Sequence, residues 1–192
     1  RLNVYVASSL INGNSMNSGK QIASVDNDSK PLNIAILGLD KDCPANLINL
    51  GYEAGQLLAK RGWITMTGGV GGVFEAARKG ALDAGGLSLA VTEAANKGNI
   101  QHYSALLPVS STSLKRLLVV ESADAAILIG GWMGTLDLMV QMASQKKPVF
   151  AISGTGGVAD VFGGKSLIPP NGPVVILVES IEQALWQLQK VN

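Results

Sequence analysis

The sequence predicts a single α/β domain: a doubly wound, mostly parallel, Rossmann-like sheet with helices on both faces. Three observations carry that prediction. Short apolar runs recur at residues 33–38, 63–67, 87–91, 125–129, 148–152 and 174–178, with the length and β-branched content of strands buried on both faces. Helical stripes alternate with them. Glycine loops follow three of the runs, at residues 68–72, 130–131 and 154–157.

Residues 1–32 stand apart as a polar leader. Residues 2–8 suit one short strand, but residues 11–30 are rich in Asn, Ser, Gly and Asp without any period and read as flexible or loosely packed. No apolar stretch there is long enough for a signal peptide. Leu2-Asn3-Val4-Tyr5-Val6 echoes Leu32-Asn33-Ile34-Ala35-Ile36, a likeness read as chance in preference to an extra edge strand. The domain proper spans residues 33–192. A first strand at 33–38 leads through a polar loop to a helix at 46–61. There Leu47, Leu50, Ala54, Leu57 and Leu58 point inward, and Gly62 marks the stop. The second strand and its glycine loop precede a helix with Val73, Ala76, Ala77 and Ala81 on one stripe, closed by Gly85-Gly86. A third strand at 87–91, an irregular stretch at 92–103 and a short strand at 104–109 follow, then a helix at 113–122. The strand at 125–129 breaks at Gly130-Gly131 into a helix from Thr135. After the strand at 148–152 come the third glycine loop, a polar stretch through Pro169-Pro170, a last strand and a C-terminal helix.

Composition narrows the function classes. Hydrophobic residues make up 47% and charged residues 15%, high for a fully wetted monomer, which points to a sizeable buried homo-oligomer face. The helix with Leu138, Met139 and Met142 is expected to supply part of that interface. A net charge of +1 gives no basis for a nucleic-acid or anionic-membrane partner. The lone Cys43 excludes an internal disulfide and fits a reducing cytoplasm. No run approaches the roughly 20 apolar residues of a membrane span.

Strand, glycine turn, helix start is a phosphate-binding architecture. Glycine lets the backbone approach an anion, and the helix presents unpaired N–H groups and its positive end. Three such loops at the carboxyl edge of one sheet imply a shared anion-binding crevice. Gly68, Gly69, Gly71 and Gly72, with Gly130, Gly131, Gly134 and Thr135, read as backbone phosphate binders, against the alternative of tight steric turns. Lys115 and Arg116 suit anion neutralisation or a solvated helix face. Trp132 suits stacking on a base or pterin ring, capping of the crevice, or packing on another subunit. Gly131→Val is expected to block ligand approach while sparing the fold. His102 has no cluster around it, and no metal-ligand spacing, nucleophile elbow or GxxxxGK[ST] loop is present.

Residues 33–151 resemble the LOG-like Rossmann family, which comprises the "lonely guy" phosphoribohydrolases (the lysine-decarboxylase-like proteins) and the molybdenum-cofactor carrier proteins. The resemblance rests on IAILG at 34–38, LAKRGWITMTGGVGGVFEAARKGALDAGG at 58–86 and SADAAILIGGWMGTLD at 122–137. KKPVFAISGTGGVAD at 146–160 is closer to the carrier branch. The hydrolases carry PGG-x-GT-x-x-E, and their Glu falls here on Leu138. Their Arg falls on Lys115, beside Arg116, and the third residue of their glycine triplet is Trp132. Hydrolysis of an N-glycosidic bond passes through an oxocarbenium-like state that needs a carboxylate at the sugar. Leu138 supplies none, and Asp137 points about 100° away round the helix. Asp137 and Lys115 are therefore weak catalytic candidates. The resemblance implies a binding protein for a phosphorylated ligand, a nucleotide or molybdenum cofactor, with little or no catalysis and no cofactor needed for folding. The alternative is a nucleoside 5′-monophosphate phosphoribohydrolase releasing base and ribose 5-phosphate.

Overall fold

Ile34, Ala35, Ile36 and Leu37 are buried on both sides, and the strand they form sits in the middle of the sheet. The computed structural model describes residues 5–6, 31–167 and 172–191. Its strands are β1 (Tyr5–Val6), β2 (Asn33–Gly38), β3 (Ile64–Thr67), β4 (Ser88–Glu93), β5 (Ala105–Val109), β6 (Ala125–Ile129), β7 (Val149–Ile152) and β8 (Ile176–Val178). Its helices are α1 (Ala45–Lys60), α2 (Gly72–Asp83), α3 (Thr112–Ser122), α4 (Met133–Ser144), α5 (Gly157–Phe162) and α6 (Ile181–Val191).

The eight strands form one sheet in the order β1-β5-β4-β3-β2-β6-β7-β8. Every pair is parallel except β1 on β5. The chain winds outward one way from β2 through β5, then returns to pair β6 against β2 (Ile34 opposite Ala125) and winds out the other way. The order therefore reverses between β2 and β6, and a crevice opens there beyond the strand ends.

Side chains alternating along the central strands build two cores. Ile34, Ile36, Ile127 and Ile129 meet residues of α1, α2 and α6 on one face. Ala35, Leu37, Ala126 and Leu128 meet residues of α3, α4 and α5 on the other. Met139 and Met142 are completely buried in this second core. Neither thioether is therefore free for the oligomer interface expected of part of this helix: the core beneath α4 takes both.

Two further elements differ from expectation. Tyr5 and Val6 lie opposite Leu106 and Ala105 as an antiparallel edge strand, the use of this stretch that the chance reading set aside. The flexibility expected of the leader concerns residues outside the described ones. The six-residue helix α5 is absent from the sequence reading, because it is too short to show a period.

The helices α1 and α2 approach unusually closely. A Cβ on Gly55 would lie 2.0 Å from the Ala77 carbonyl oxygen, and one on Gly80 would lie 2.0 Å from that of Tyr52. Gly51 and Gly55, four residues apart, share the face that lies on α2. This contact sets where the first turn of α2 stands at the sheet edge. Ala is favoured over Gly inside a helix by about 1 kcal/mol, yet backbone at that distance must move, which costs about 1–3 kcal/mol. Gly55→Ala is therefore expected to lower the urea midpoint despite its better helix propensity. A raised midpoint would contradict the packing.

Candidate functional site

Four segments meet over the β2–β6 switch point. The loop after β2 brings Leu39, Asp40, Lys41, Asp42 and Pro44, and the loop after β3 brings Gly68 and Gly69. The start of α4 brings Trp132, Gly134, Thr135 and Leu138, and α3 brings Lys115, Arg116 and Val119. They enclose a crevice of about 700 Å³.

Arg78 is wholly buried and organises the first glycine loop. Its guanidinium donates to the Gly69 carbonyl at 2.8 Å, the Val70 carbonyl at 2.6 Å, the Thr67 hydroxyl at 2.9 Å and the Gln101 carbonyl at 2.9 Å. Burial lowers its pKa to about 10, so it stays charged at neutral pH. With the loop carbonyls drawn toward Arg78, the Val70 and Gly71 N–H groups turn to the other side. There Asp40 receives them: Gly71 N–H donates to its Oδ1 at 2.6 Å and Val70 N–H to its Oδ2 at 3.4 Å. Gly72, with φ +54°, leaves only 2.4 Å between its virtual Cβ and the Leu39 carbonyl oxygen. Gly71 and Gly72 thus clasp the β2–α1 loop and do not line the crevice. Gly69 does line it, with the Phe74 ring on its α-carbon where a Cβ would clash at 2.0 Å.

The second loop divides the same way. Gly130 N–H donates to the Thr155 hydroxyl at 2.9 Å, while the Gly130 and Gly131 carbonyls accept from Ala159 and Val158. These two glycines are turns that seat α5, and the open part of the loop begins at Trp132. Gly131 has φ +103°, and its virtual Cβ meets Thr135 side-chain atoms at 2.5–2.8 Å. Gly131→Val would therefore strain the fold, contrary to the sequence expectation. The Thr135 hydroxyl donates to the Gly38 carbonyl at 3.0 Å, fastening α4 to the end of β2. No described side chain caps α4, whose cap residue Trp132 is 69% exposed.

The third loop does not share the crevice. Gly154 and Gly156 N–H groups both donate to Asp160 at 2.9 Å, so the chain's own carboxylate fills that turn. The expectation of three loops around one anion is corrected to two, one of them partly occupied by Asp40.

The cations come paired. Lys115 Nζ lies 3.0 Å from Glu93, which also accepts from the Thr112 hydroxyl at 2.7 Å. Burial pushes the Glu93 carboxyl up, but the Thr112 and Lys115 hydrogen bonds and the Lys115 charge outweigh it and hold the pKa at about 2. Arg116 Nη1 donates to Asp137 at 2.8 Å, and Gln141 donates to the other Asp137 oxygen at 2.8 Å. Asp137 lies outside the crevice lining, whereas Leu138 is part of it. Arg116 Nη2 meanwhile stands 3.4 Å from the virtual Cβ of Gly134, over the first turn of α4. His102 sits 3.9 Å from Glu75, outside the crevice lining.

Sequence reasoning missed Asp40, Arg78 and Glu93. Asp40 follows the central strand directly, where open α/β sheets place ligand contacts. Arg78 lies four residues after Phe74 and three before Ala81, on a buried stripe whose spacing was legible. Glu93 gave no local signal. Among the described residues, no group of three or more His, Cys, Asp or Glu side chains could hold a metal ion, and no helix is long and apolar enough to cross a membrane.

A doubly wound sheet with a glycine-loop crevice at its switch point defines a Rossmann-like domain, and residues 31–185 match the SLOG cluster4 family. The chain belongs to that family, within the LOG-like Rossmann superfamily. It is 30% identical over 129 residues to an uncharacterized protein of Archaeoglobus fulgidus, a match covering 62% of this chain and 83% of the relative. Among solved structures it is similar to the molybdenum cofactor binding protein of Rippkaea orientalis, with a TM-score of 0.74 and 23% identity over 84% of this chain and 98% of the other. It is also similar to the molybdenum cofactor carrier protein of Chlamydomonas reinhardtii, with a TM-score of 0.71 and 25% identity over the same shares, 84% and 98%.

The paired Glu93 supplies a pH test. Its unfolded-state value is 4.5 and its folded value is about 2, so its stabilisation is complete above 4.5 and is lost as pH falls through 2. Glu93→Gln is expected to cost about 1–3 kcal/mol at pH 7 in urea unfolding. The gap to the wild type should narrow by pH 3, and a gap constant from pH 7 to pH 3 would refute the assignment.

Proposed function

We propose that this protein binds a small ligand through a phosphate held at the start of α4 and does not hydrolyse it. The observation that carries this reading is the second edge of the Arg116 guanidinium: with Nη1 on Asp137, Nη2 stands over the uncapped first turn of α4 at Gly134. A phosphate there would accept from that edge and from the N–H groups of the helix start, with the helix dipole in support. Gly68, Gly69 and Lys115 line the facing wall. Gly71, Gly72, Gly130 and Gly131 then serve by shaping the loops.

A nucleotide and a molybdenum cofactor both offer a phosphate and a flat, donor-bearing ring. The crevice suits that shape: about 700 Å³, a cationic end at Arg116, carboxylate acceptors at Asp40 and Asp42, and an exposed indole at Trp132 for stacking. The names of the two similar solved structures, a molybdenum cofactor binding protein and a molybdenum cofactor carrier, favour the carrier role. Phosphoribohydrolase activity is the second reading, kept because Asp40 and Asp42 bring carboxylates to the crevice. Leu138, apolar at the position of the hydrolase Glu, weighs against it. Loss of one preorganised electrostatic group costs about 10²–10³ in rate.

Calorimetric titration with AMP tests both. Binding to the wild type, weakened at least about tenfold in Arg116→Ala as expected for a lost charged hydrogen bond, supports the reading. Undiminished binding by Arg116→Ala would remove the phosphate from α4. Release of ribose 5-phosphate at an enzyme-like rate would replace the carrier by the hydrolase.

Assembly with a second copy belongs to the same proposal. Leu117 on α3 and Met133 and Val140 on α4 are exposed at 47%, 77% and 44%. Light scattering is expected to show a dimer or tetramer that Val140→Glu weakens, and a monomeric wild type would end this part.

A further inference from the structure

Resting on the site reading above, we propose that Asp137 is a positioning residue: from outside the crevice it holds the Arg116 guanidinium over the start of α4, where that guanidinium meets the ligand's phosphate. Asp137, Gln141 and Gln145 recur every four positions and so share one stripe along α4 and its C-terminal cap. The stripe is polar and is tied to α3. Asp137 accepts from Arg116 Nη1 at 2.8 Å, and Gln145 donates to the Glu121 carboxylate at 2.6 Å. Lys147, just past the helix, donates to the Glu121 carbonyl at 3.0 Å. This seam fixes the register of the two helices, and with it the height of Arg116 above the first turn of α4.

Within the seam Asp137 also sets the direction of the guanidinium. Gln141 donates to its Oδ1 at 2.8 Å, which fixes the carboxylate plane and leaves Oδ2 for Arg116. A long arginine side chain has several free torsions, and ordering them at the moment of binding weakens affinity. Here the ordering precedes the ligand: with Nη1 held, Nη2 stands 3.4 Å from the virtual Cβ of Gly134. Arg116 lines the crevice and Asp137 does not, so Asp137 acts on a ligand through Arg116. Folding stability does not account for the pair. Its side chains are 34% and 42% exposed, and ion pairs so open to water contribute little. Charge works against the arrangement, because a carboxylate beside Arg116 repels a phosphate. Position and charge therefore predict opposite outcomes for the same substitution.

Calorimetric titration with AMP separates them, using the wild type, Asp137→Ala, Asp137→Asn, Arg116→Ala and the Arg116→Ala/Asp137→Ala double variant. Both Asp137 variants lose the same charge, but only Asp137→Ala loses the oxygen that accepts from Arg116. Asp137→Ala is expected to bind AMP about fivefold more weakly than the wild type, since the ligand must then order Arg116 itself. Asp137→Asn is expected to recover that loss, with the Gln141 amide turned over to accept from the new amide group. The double variant is expected to bind no more weakly than Arg116→Ala alone. Binding by Asp137→Ala as tight as the wild type, or tighter, overturns the positioning role. So does an equal loss in Asp137→Asn or a further loss in the double variant, and in each case a weakened Arg116→Ala leaves the phosphate site standing. Undiminished binding by Arg116→Ala overturns the site reading itself, and failure of the wild type to bind AMP overturns both.

Discussion

The buried guanidinium of Arg78 is the constraint on which this crevice depends. It satisfies two loop carbonyls, one threonine hydroxyl and one distant carbonyl, and so fixes the Gly69–Val70 and Val70–Gly71 peptides. The N–H groups of those same two peptides then face the opposite way, where Asp40 accepts from both. Burying such a charge without partners would be prohibitive, and four acceptors make it tolerable. The close α1–α2 contact serves the same end, because it holds the helix carrying Arg78 at a fixed height above the sheet.

Chemistry on the other wall follows a different logic. Lys115 takes the place of the family Arg but comes with Glu93, a carboxylate that clamps its single point of charge. Arg116 next door keeps a planar fork and uses one tooth internally. Cationic character at the site is therefore rationed among internal partners.

The architecture was legible because its signals are local. Apolar runs at residues 33–38 and 125–129 carry strand identity in consecutive residues, and the glycines after β3 and β6 announce turns wherever the chain ends up. The face of the sheet that each helix covers is not local, so nothing near Met139 and Met142 in the sequence shows that both are spent on the core beneath α4. The occupants of the glycine loops were hidden for a related reason. Asp40 is 31 residues from the Gly71 it binds, and Glu93 is 22 from Lys115, so only the winding of the sheet brings them together. Asp160 lies within six residues of Gly154 and Gly156 and could have been read as filling its own loop.

The edge strand β1 limits how copies of this molecule can join. Unpaired strand edges invite cross-chain β-pairing, and proteins blunt them with short covers and prolines. Tyr5 and Val6 lie against Leu106 and Ala105, and Pro108, farther along β5, has no N–H to offer a foreign strand. At the opposite edge β8 spans only Ile176–Val178, too short a template for continuous pairing. Growth by sheet extension is thereby discouraged at both borders among the described residues.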